Sequence, residues 1–272
     1  MPNYVIIENK IQYSHAYALT QMLSQDEMIR AYCAQYWHDC AMQLHQDASE
    51  KVRIAAVQHW YDLAKLHLQD DAKMVRQAIA RKWYDLAKQL MQDPEEDVRS
   101  GVAGKWYDLA KILMHDSSSA VRCAGAANWH GLAVHFFDHA EPLDFALKAA
   151  CVGHWHDLAV RAIDEGEQES MLLSLCMMKW HDLALRLLED ERIIPIMAIR
   201  SWHDIAEKYT QSESSICRSY CAYWHDLAIH LFHDKNEAVR KECAKHYDLA
   251  VQLLADPNKD VKKIAKETAR KK

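Results

Sequence analysis

Imidazole and carboxylate stand side by side at a near-regular interval along this chain: His38-Asp39, His156-Asp157, His181-Asp182, His203-Asp204 and His225-Asp226. Such pairs could ligate a metal. His130 and His246 extend the column, and Tyr61, Tyr84, Tyr107 and Tyr247 replace or stand beside histidine in it. Two considerations weigh against a metal. Equivalent residues on neighbouring packed helices are about 8–10 Å apart, whereas the ligands of one zinc ion converge to about 2 Å from it. Tyrosine is also a poor substitute ligand. The interchange of His and Tyr implies a planar side chain with a polar tip. It either hydrogen-bonds across layers or lines an exposed ridge suited to a protein partner.

A second column holds arginine. Asp47, Asp70, Asp93, Asp116, Asp234 and Asp256 are each followed six residues later by a basic residue: Arg53, Arg76, Arg99, Arg122, Arg240 and Lys262. A periodic Asp and Arg column reads as an internal hydrogen-bond ladder. The alternative is a row of guanidinium groups facing an anionic ligand. In that case Arg53, Arg76, Arg99 and Arg122, with Lys82 and Lys105, are the candidate nucleic-acid-binding residues.

Other chemistry is sparse. The chain has no nucleophile elbow, Walker loop, HExxH helix or Gly-rich dinucleotide fingerprint. Ser117-Ser118-Ser119 reads as a turn, and the carboxylates fall where helix caps belong, with no pair singled out for acid–base work. The eight cysteines are spread singly. Cys33, Cys221 and Cys243 lie three residues after Arg30, Arg218 and Arg240, a slot that Ile79 and Val102 fill elsewhere. They read as core thiols in a reducing compartment, not as a disulfide framework. The expectation is a protein that is not an enzyme and uses no cofactor and no metal.

A pentapeptide positions these columns. It returns ten times, as Trp37-His38-Asp39-Cys40-Ala41, Trp60-Tyr61-Asp62-Leu63-Ala64 and onward to His246-Tyr247-Asp248-Leu249-Ala250. The first five copies are 23 residues apart, and the later steps are 26, 25, 22, 22 and 22. A fixed period in this range marks stacked repeats. Within one repeat, Leu86, Ala87, Leu90 and Met91 form the apolar stripe of a short helix that Asp85 is placed to cap. Asp93-Pro94-Glu95-Glu96 then starts a second helix, with Asp93 as N-cap and Pro94 in the first turn. That helix runs through Val98, Arg99, Val102 and Ala103 to Trp106, and the Trp column fills the gap between layers. The predicted fold is all-α: a right-handed α-solenoid of about ten to eleven two-helix repeats of 22–26 residues. One repeat domain spans 1–272, with an N-terminal cap at 1–14 and a basic C-terminal cap at 257–272. Repeats are regular over 15–130 and 201–256 and irregular over 131–200.

The string Val75-Arg76-x-Ala78-Ile79-Ala80-x-x-Trp83-x-Asp85-Leu86-x-x-x-Leu90-x-x-Asp93-Pro94 resembles the leucine-rich repeat variant pattern and, more loosely, HEAT repeats. The resemblance covers nearly the whole chain and implies a short α-solenoid used as a scaffold or binding surface. The variant pattern usually has Pro before the second helix, where this chain has Trp followed by His or Tyr. The cysteine cluster that holds iron and sulfur ahead of some variant repeats has no counterpart in residues 1–32, so no cluster is inferred.

The pattern fails between 131 and 200. Gly131 replaces the Asp of the pentapeptide, and insertions occur around Ala140-Glu141-Pro142 and Glu165-Gly166-Glu167. Lys148 replaces the Arg, and Leu173 and then Pro195 or Ile196 make that slot apolar. The segments 171–178 and 193–199 are apolar nearly all round, and such a helix must be covered by something. An inserted loop could cover it; so could a second copy or a partner, against which Met supplies an adaptable surface. Residues 165–200 are the candidate partner site, with Met171, Leu172, Met177, Met178, Ile194 and Met197, flanked by His156, His181 and His203.

Composition narrows the classes further. The chain has a net charge of −6, six Gly and five Pro. That argues against a general nucleic-acid binder and a loop-rich fold, although Lys259, Lys262, Lys263, Lys266, Arg270, Lys271 and Lys272 make the C-terminus locally basic. No secretory leader or run of 18 apolar residues is evident, so the expected setting is cytoplasmic. The leading reading is a non-catalytic scaffold that binds a protein, with homo-oligomerisation open. The alternatives are a nucleic-acid-binding or DNA-processing HEAT-like protein, as among the alkylpurine DNA glycosylases, and a structural assembly subunit.

Overall fold

The computed structural model describes residues 4–7, 10–139, 144–190 and 193–271. The chain divides into two compact units, Met1–His154 and Trp155–Lys272. The boundary falls inside the stretch where the sequence period lapses. Each unit is a row of two-helix layers.

The first unit opens with an antiparallel hairpin of β1 (Tyr4–Ile7) and β2 (Lys10–Tyr13), with Tyr4 opposite Tyr13 and Ile7 opposite Lys10. Odd-numbered and even-numbered helices then alternate. They are α1 (His15–Gln21), α2 (Glu27–Tyr36), α3 (His38–Leu44), α4 (Glu50–His59), α5 (Tyr61–Leu66) and α6 (Lys73–Lys82), followed by α7 (Tyr84–Leu90), α8 (Glu96–Lys105), α9 (Tyr107–Leu113), α10 (Ser119–Asn128), α11 (His130–His139) and α12 (Phe145–His154). The second unit contains α13 (His156–Asp164), α14 (Ser170–Lys179), α15 (His181–Leu187), α16 (Ile196–Ser201), α17 (His203–Lys208) and α18 (Ser215–Cys221). It continues with α19 (His225–Leu231), α20 (Glu237–Cys243), α21 (Tyr247–Gln252), a 3₁₀ turn (Leu253–Ala255) and α22 (Lys259–Ala269). Among the described residues no helix is long and apolar enough to cross a membrane.

Within each unit every even-numbered helix packs on the next even-numbered one, and most odd-numbered helices pack on an even-numbered helix beside them in sequence. The core is the meeting of two stripes. From the even helices come Val52, Ala56 and Val57, then Val75, Ile79 and Ala80, then Val98, Val102 and Ala103; from the odd helices come Leu63-Ala64, Leu86-Ala87 and Leu109-Ala110, all buried. The second unit repeats this with Leu183-Ala184, Ile205-Ala206, Leu227-Ala228 and Leu249-Ala250. Helices of six to ten residues are too short to persist alone in water, so each layer owes its order to its neighbours. Gly101 marks how closely α6 and α8 approach: a Cβ there would lie 3.0 Å from Gln77 Cγ.

Two helix starts differ from the sequence expectation. Asp85 does not cap α7: it lies second in the helix, and the residue at the boundary is Trp83, in extended conformation at φ −120°, ψ 108°. The Trp83 amide closes α6 on the Ile79 carbonyl at 2.9 Å, while its carbonyl opens α7 by accepting from the Ala87 amide at 2.8 Å. One extended aromatic residue thus joins two helices, a conformation aromatic side chains favour. Asp93 does not start α8 either. Its carboxylate accepts from the Glu95 amide at 2.9 Å in the preceding turn, and α8 begins at Glu96.

The Glu165-Gly166-Glu167 insertion is a helix terminus. Gly166 has φ 82°, its amide reaches the Ile163 carbonyl at 3.1 Å, and the Glu167 amide reaches Ala162 at 3.0 Å. This is a Schellman closure, which needs glycine at the left-handed position. The Ala140-Glu141-Pro142 insertion lies outside the described residues.

Candidate functional site

The joint between helices of one layer forms one edge of the repeat, and the turn into the next layer forms the other. At the joint, each Trp indole is half-buried and reaches back one layer. Trp60 Nε1 donates to the Ala34 carbonyl at 2.8 Å, Trp83 to Val57 at 2.7 Å, Trp106 to Ala80 at 2.7 Å and Trp129 to Ala103 at 2.8 Å. In the second unit Trp202 donates to Met177 and Trp224 to Ile199. These carbonyls lie at helix C-termini, where no intrahelical donor remains. The Trp column is therefore a set of caps supplied from the next layer, a role beyond the gap-filling expected of it.

The His column does both things its composition suggested. Its side chains are largely exposed, and they bond across layers. His15 Nε2 meets Asp39 at 2.8 Å and His38 meets Asp62 at 2.9 Å. In the second unit His156 meets Asp182 at 2.8 Å, His181 meets Asp204 at 2.9 Å, His203 meets Asp226 at 2.7 Å and His225 meets Asp248 at 2.9 Å. Each ring also packs on the aromatic residue of the next layer, as His203 does on Trp224 with ring centres 5.2 Å apart. The His38 and His225 hydrogen bonds hold the Asp62 and Asp248 carboxyls below the usual range, against a smaller upward push from burial. At Tyr61, Tyr84 and Tyr107 the ring keeps the packing and a lysine one turn on covers it. Tyr84 lies 5.4 Å from Trp106, with Lys88 Nζ 4.4 Å above the Tyr84 ring; Tyr61 with Lys65 and Tyr107 with Lys111 repeat this.

The other edge is the arginine ladder. Arg76 donates Nε and Nη2 to the two carboxylate oxygens of Asp93 at 2.7 and 3.0 Å, and Nη1 to the Asp70 carbonyl at 2.6 Å. Arg30–Asp47, Arg53–Asp70, Arg99–Asp116, Arg218–Asp234 and Arg240–Asp256 share this two-pronged geometry. Arg122 reaches Asp144 through Nη2 at 2.8 Å. The guanidinium hydrogen bonds hold Asp47, Asp116, Asp234 and Asp256 below the ordinary carboxylate range, ahead of the opposing effect of burial. Arg53, Arg76, Arg99 and Arg122 are therefore rungs inside the stack and do not form a row turned toward an anion. Lys82 and Lys105 are exposed and lie over Trp83 and Trp106, at 5.8 and 5.9 Å. Clefts recur beside these rungs, lined by Arg76 and Asp93 in one layer and Arg99 and Asp116 in the next, so they follow from the repeat itself.

The predicted partner residues separate into two groups. Met171 (62% exposed), Met178, Ile194 (67%) and Met197 are exposed on and before the neighbouring helices α14 and α16. Leu172 and Met177 are 1% and 3% exposed. Both belong to the core, because they occupy the inward positions of α14 and only its outward face is free. His156, His181 and His203 lie in the His–Asp ladder of the same unit. Leu173, in the lapsed arginine slot, lines a cleft of about 470 Å³ with Asp190 and Ile193.

The cysteine thiols are poorly placed for nucleophilic chemistry. The eight cysteines are unpaired thiols, and burial pushes Cys40 and Cys176 up to about 11 and Cys151, Cys221 and Cys243 up to about 12. Among the described residues one trio of metal-type donors converges: His15, Asp39 and Cys40. Its Cys40 thiol is held protonated, and its His and Asp already pair at 2.8 Å.

One functional candidate escaped the sequence reading. Position seven after each Trp is apolar in Leu44, Leu90, Leu113, Leu187 and Leu231, all buried; at that position after Trp60 stands His67, 8% exposed. Its Nδ1 bonds Asp70 Oδ2 at 2.8 Å, and its Nε2 lies 3.1 Å from His45 Nδ1. Aligning the repeats on tryptophan exposes the substitution.

No family model matches the chain, and no curated protein matches it. A solved structure described as a leucine-rich repeat variant with a novel repetitive protein structural motif is similar over 91% of this chain and 88% of that one, at 16% identity and a TM-score of 0.35.

Proposed function

We propose that this chain is a non-catalytic repeat scaffold that binds a protein partner through the outward face of α14 and α16. The observation that carries this reading is the exposure of Met171, Met178, Ile194 and Met197 together on and before two neighbouring helices; at the position of Met171 the first unit alternates exposed Met28 and Met74 with Lys51 and Asp97, so its methionines stand apart from one another. Long unbranched side chains on a patch of this kind suit a partner surface that must be fitted rather than matched rigidly. The pairing of the arginines favours this reading over nucleic acid, since their donors are already consumed. The unpaired thiols suit a reducing, cytoplasmic setting.

The test compares wild type with a Met171→Ser, Met178→Ser, Met197→Ser variant as baits, with and without nuclease, and measures the sedimentation of each alone. The expected outcome is a discrete protein that survives nuclease and is lost from the variant, while the melting temperature stays within a few degrees. An identical set of captured proteins, or capture that depends wholly on nucleic acid, overturns the proposal. Loss of a wild-type dimer in the variant would reassign the patch to self-assembly.

A further inference from the structure

We propose that His45 and His67 form a binding site for a divalent transition metal such as zinc, with Asp70 as the residue that orients His67. The starting point is an anomaly in the repeat. The slot of His67 is filled by buried leucine at Leu44, Leu90 and Leu113 in the same unit, so packing alone does not call for an imidazole there. A buried polar ring is costly unless its nitrogens are satisfied, and a local rule broken in one layer points to function.

The hydrogen bonds determine which nitrogens are available. Asp70 accepts from Arg53 Nε at 2.9 Å, Arg53 Nη2 at 2.9 Å and the Ala72 amide at 2.9 Å, all of them groups that can only donate. It is an ionised acceptor, so His67 Nδ1 carries the hydrogen that meets it. The lone pair of neutral His67 is then on Nε2, directed to His45. A carboxylate bound to the far nitrogen of a histidine is the usual second layer of a zinc site: it fixes the tautomer and raises the basicity of the ligating nitrogen.

The distance fits. Two nitrogens 3.1 Å apart, each about 2.0–2.1 Å from a shared ion, subtend about 100° at it, between octahedral and tetrahedral values. In the metal-free chain the 3.1 Å contact is a hydrogen bond between the rings; on binding, the His45 hydrogen moves from Nδ1 to Nε2 and both rings turn so that their lone pairs converge on an ion beside the N–N line, a movement that half-buried His45 has room to make. Both residues are helix C-caps, of α3 and α5, where the backbone carbonyls favour a cation. The Arg53 charge nearby is neutralised by its two bonds to Asp70. Two protein ligands leave further positions for water or for a donor brought by another molecule, so the site is open and ties one layer to the next.

The test titrates zinc alone into the metal-free full chain by calorimetry at pH 7.5, alongside thermal melts. The expected result is one equivalent bound, with a rise in melting temperature on adding zinc. His67→Leu, which restores the leucine of the other layers, should fold at least as well without zinc and bind it at least tenfold more weakly. His45→Gln, at the more exposed ligand, should weaken binding similarly and guards against misfolding of the first variant. The stacked pair His135 and His139, with ring centres 4.6 Å apart on α11, and the trio His15, Asp39 and Cys40 are the competing sites, removed in His139→Ala and His15→Ala. No binding by wild type, or binding retained at wild-type strength in either His67→Leu or His45→Gln, overturns the proposal.

Discussion

His246 donates from Nε2 to the carbonyl of Ala222 at 2.8 Å, one layer back, and so makes through imidazole the bond that Trp224 makes through indole to Ile199 at 2.9 Å. What the column preserves is a ring N–H reaching an orphan helix carbonyl, and the bicyclic ring is one way to supply it. Trp106→Phe keeps the ring and loses the donor to Ala80. It should cost about 1–3 kcal/mol in urea unfolding, the range for leaving a buried acceptor unpaired. Trp106→His should recover part of that loss, and a loss in the His variant as large as in the Phe variant would argue against the capping role.

The two carboxylate columns should respond very differently to neutralisation. Asp93 is 3% exposed and holds Arg76, itself 10% exposed. Removing one partner of a buried pair strands the other, at about 3–5 kcal/mol, so Asp93→Ala should lower stability on that scale. Asp226→Asn, on the exposed His edge, should leave the melting temperature nearly unchanged, because exposed pairs contribute little. Equal losses in the two variants would show that the edges are not distinguished by burial.

Acid should act first through the arginine edge. Asp47, Asp116, Asp234 and Asp256 have folded-state pKa values below their unfolded ones. Their contribution is fully present above the unfolded value of about 3.9 and disappears as pH falls through the depressed folded values. Melting temperature should hold steady from pH 7 to 5 and fall steeply below pH 4. A steep fall centred near pH 6 would implicate the histidines instead.

Thiol reactivity should be delayed. With Cys40, Cys151, Cys176, Cys221 and Cys243 buried and pushed up to about 11–12, little thiolate forms at pH 8. A disulfide reagent should label the native chain slowly, with half-buried Cys123 first, and all eight cysteines after unfolding. Prompt labelling of Cys221 or Cys243 would show that those layers open readily.

Much of this was legible because a repeat states each rule several times. The period gave the layers, and the Leu-Ala pair in each pentapeptide gave the buried face. The Asp and Arg columns also read correctly as a ladder. The pairing register was not legible: Arg76 joins Asp93 of the next layer as well as the Asp70 carbonyl of its own, and spacing in one repeat shows only the second contact. Asp85 was misplaced as a cap because sequence rules look for a side-chain acceptor, whereas Trp83 supplies a main-chain one. Leu172 and Met177 were misplaced because a helix apolar all round carries no periodic signal of which face turns inward. His67 was missed because a column is found by what recurs, and its meaning lies in being the exception.

The three cross-layer columns divide their partners unequally between earlier and later layers. The Ala80 carbonyl waits for Trp106, the Arg76 guanidinium for Asp93 and the His38 ring for Asp62, and in each case the later residue completes the earlier layer. As the chain leaves the ribosome, a newly formed layer is left with a bare acceptor and an uncompensated cation until its successor emerges. Cutting from the two ends is therefore not equivalent. A cut from the C-terminal side strands a buried arginine, whereas a cut from the N-terminal side frees an indole N–H and a carboxylate that water can serve.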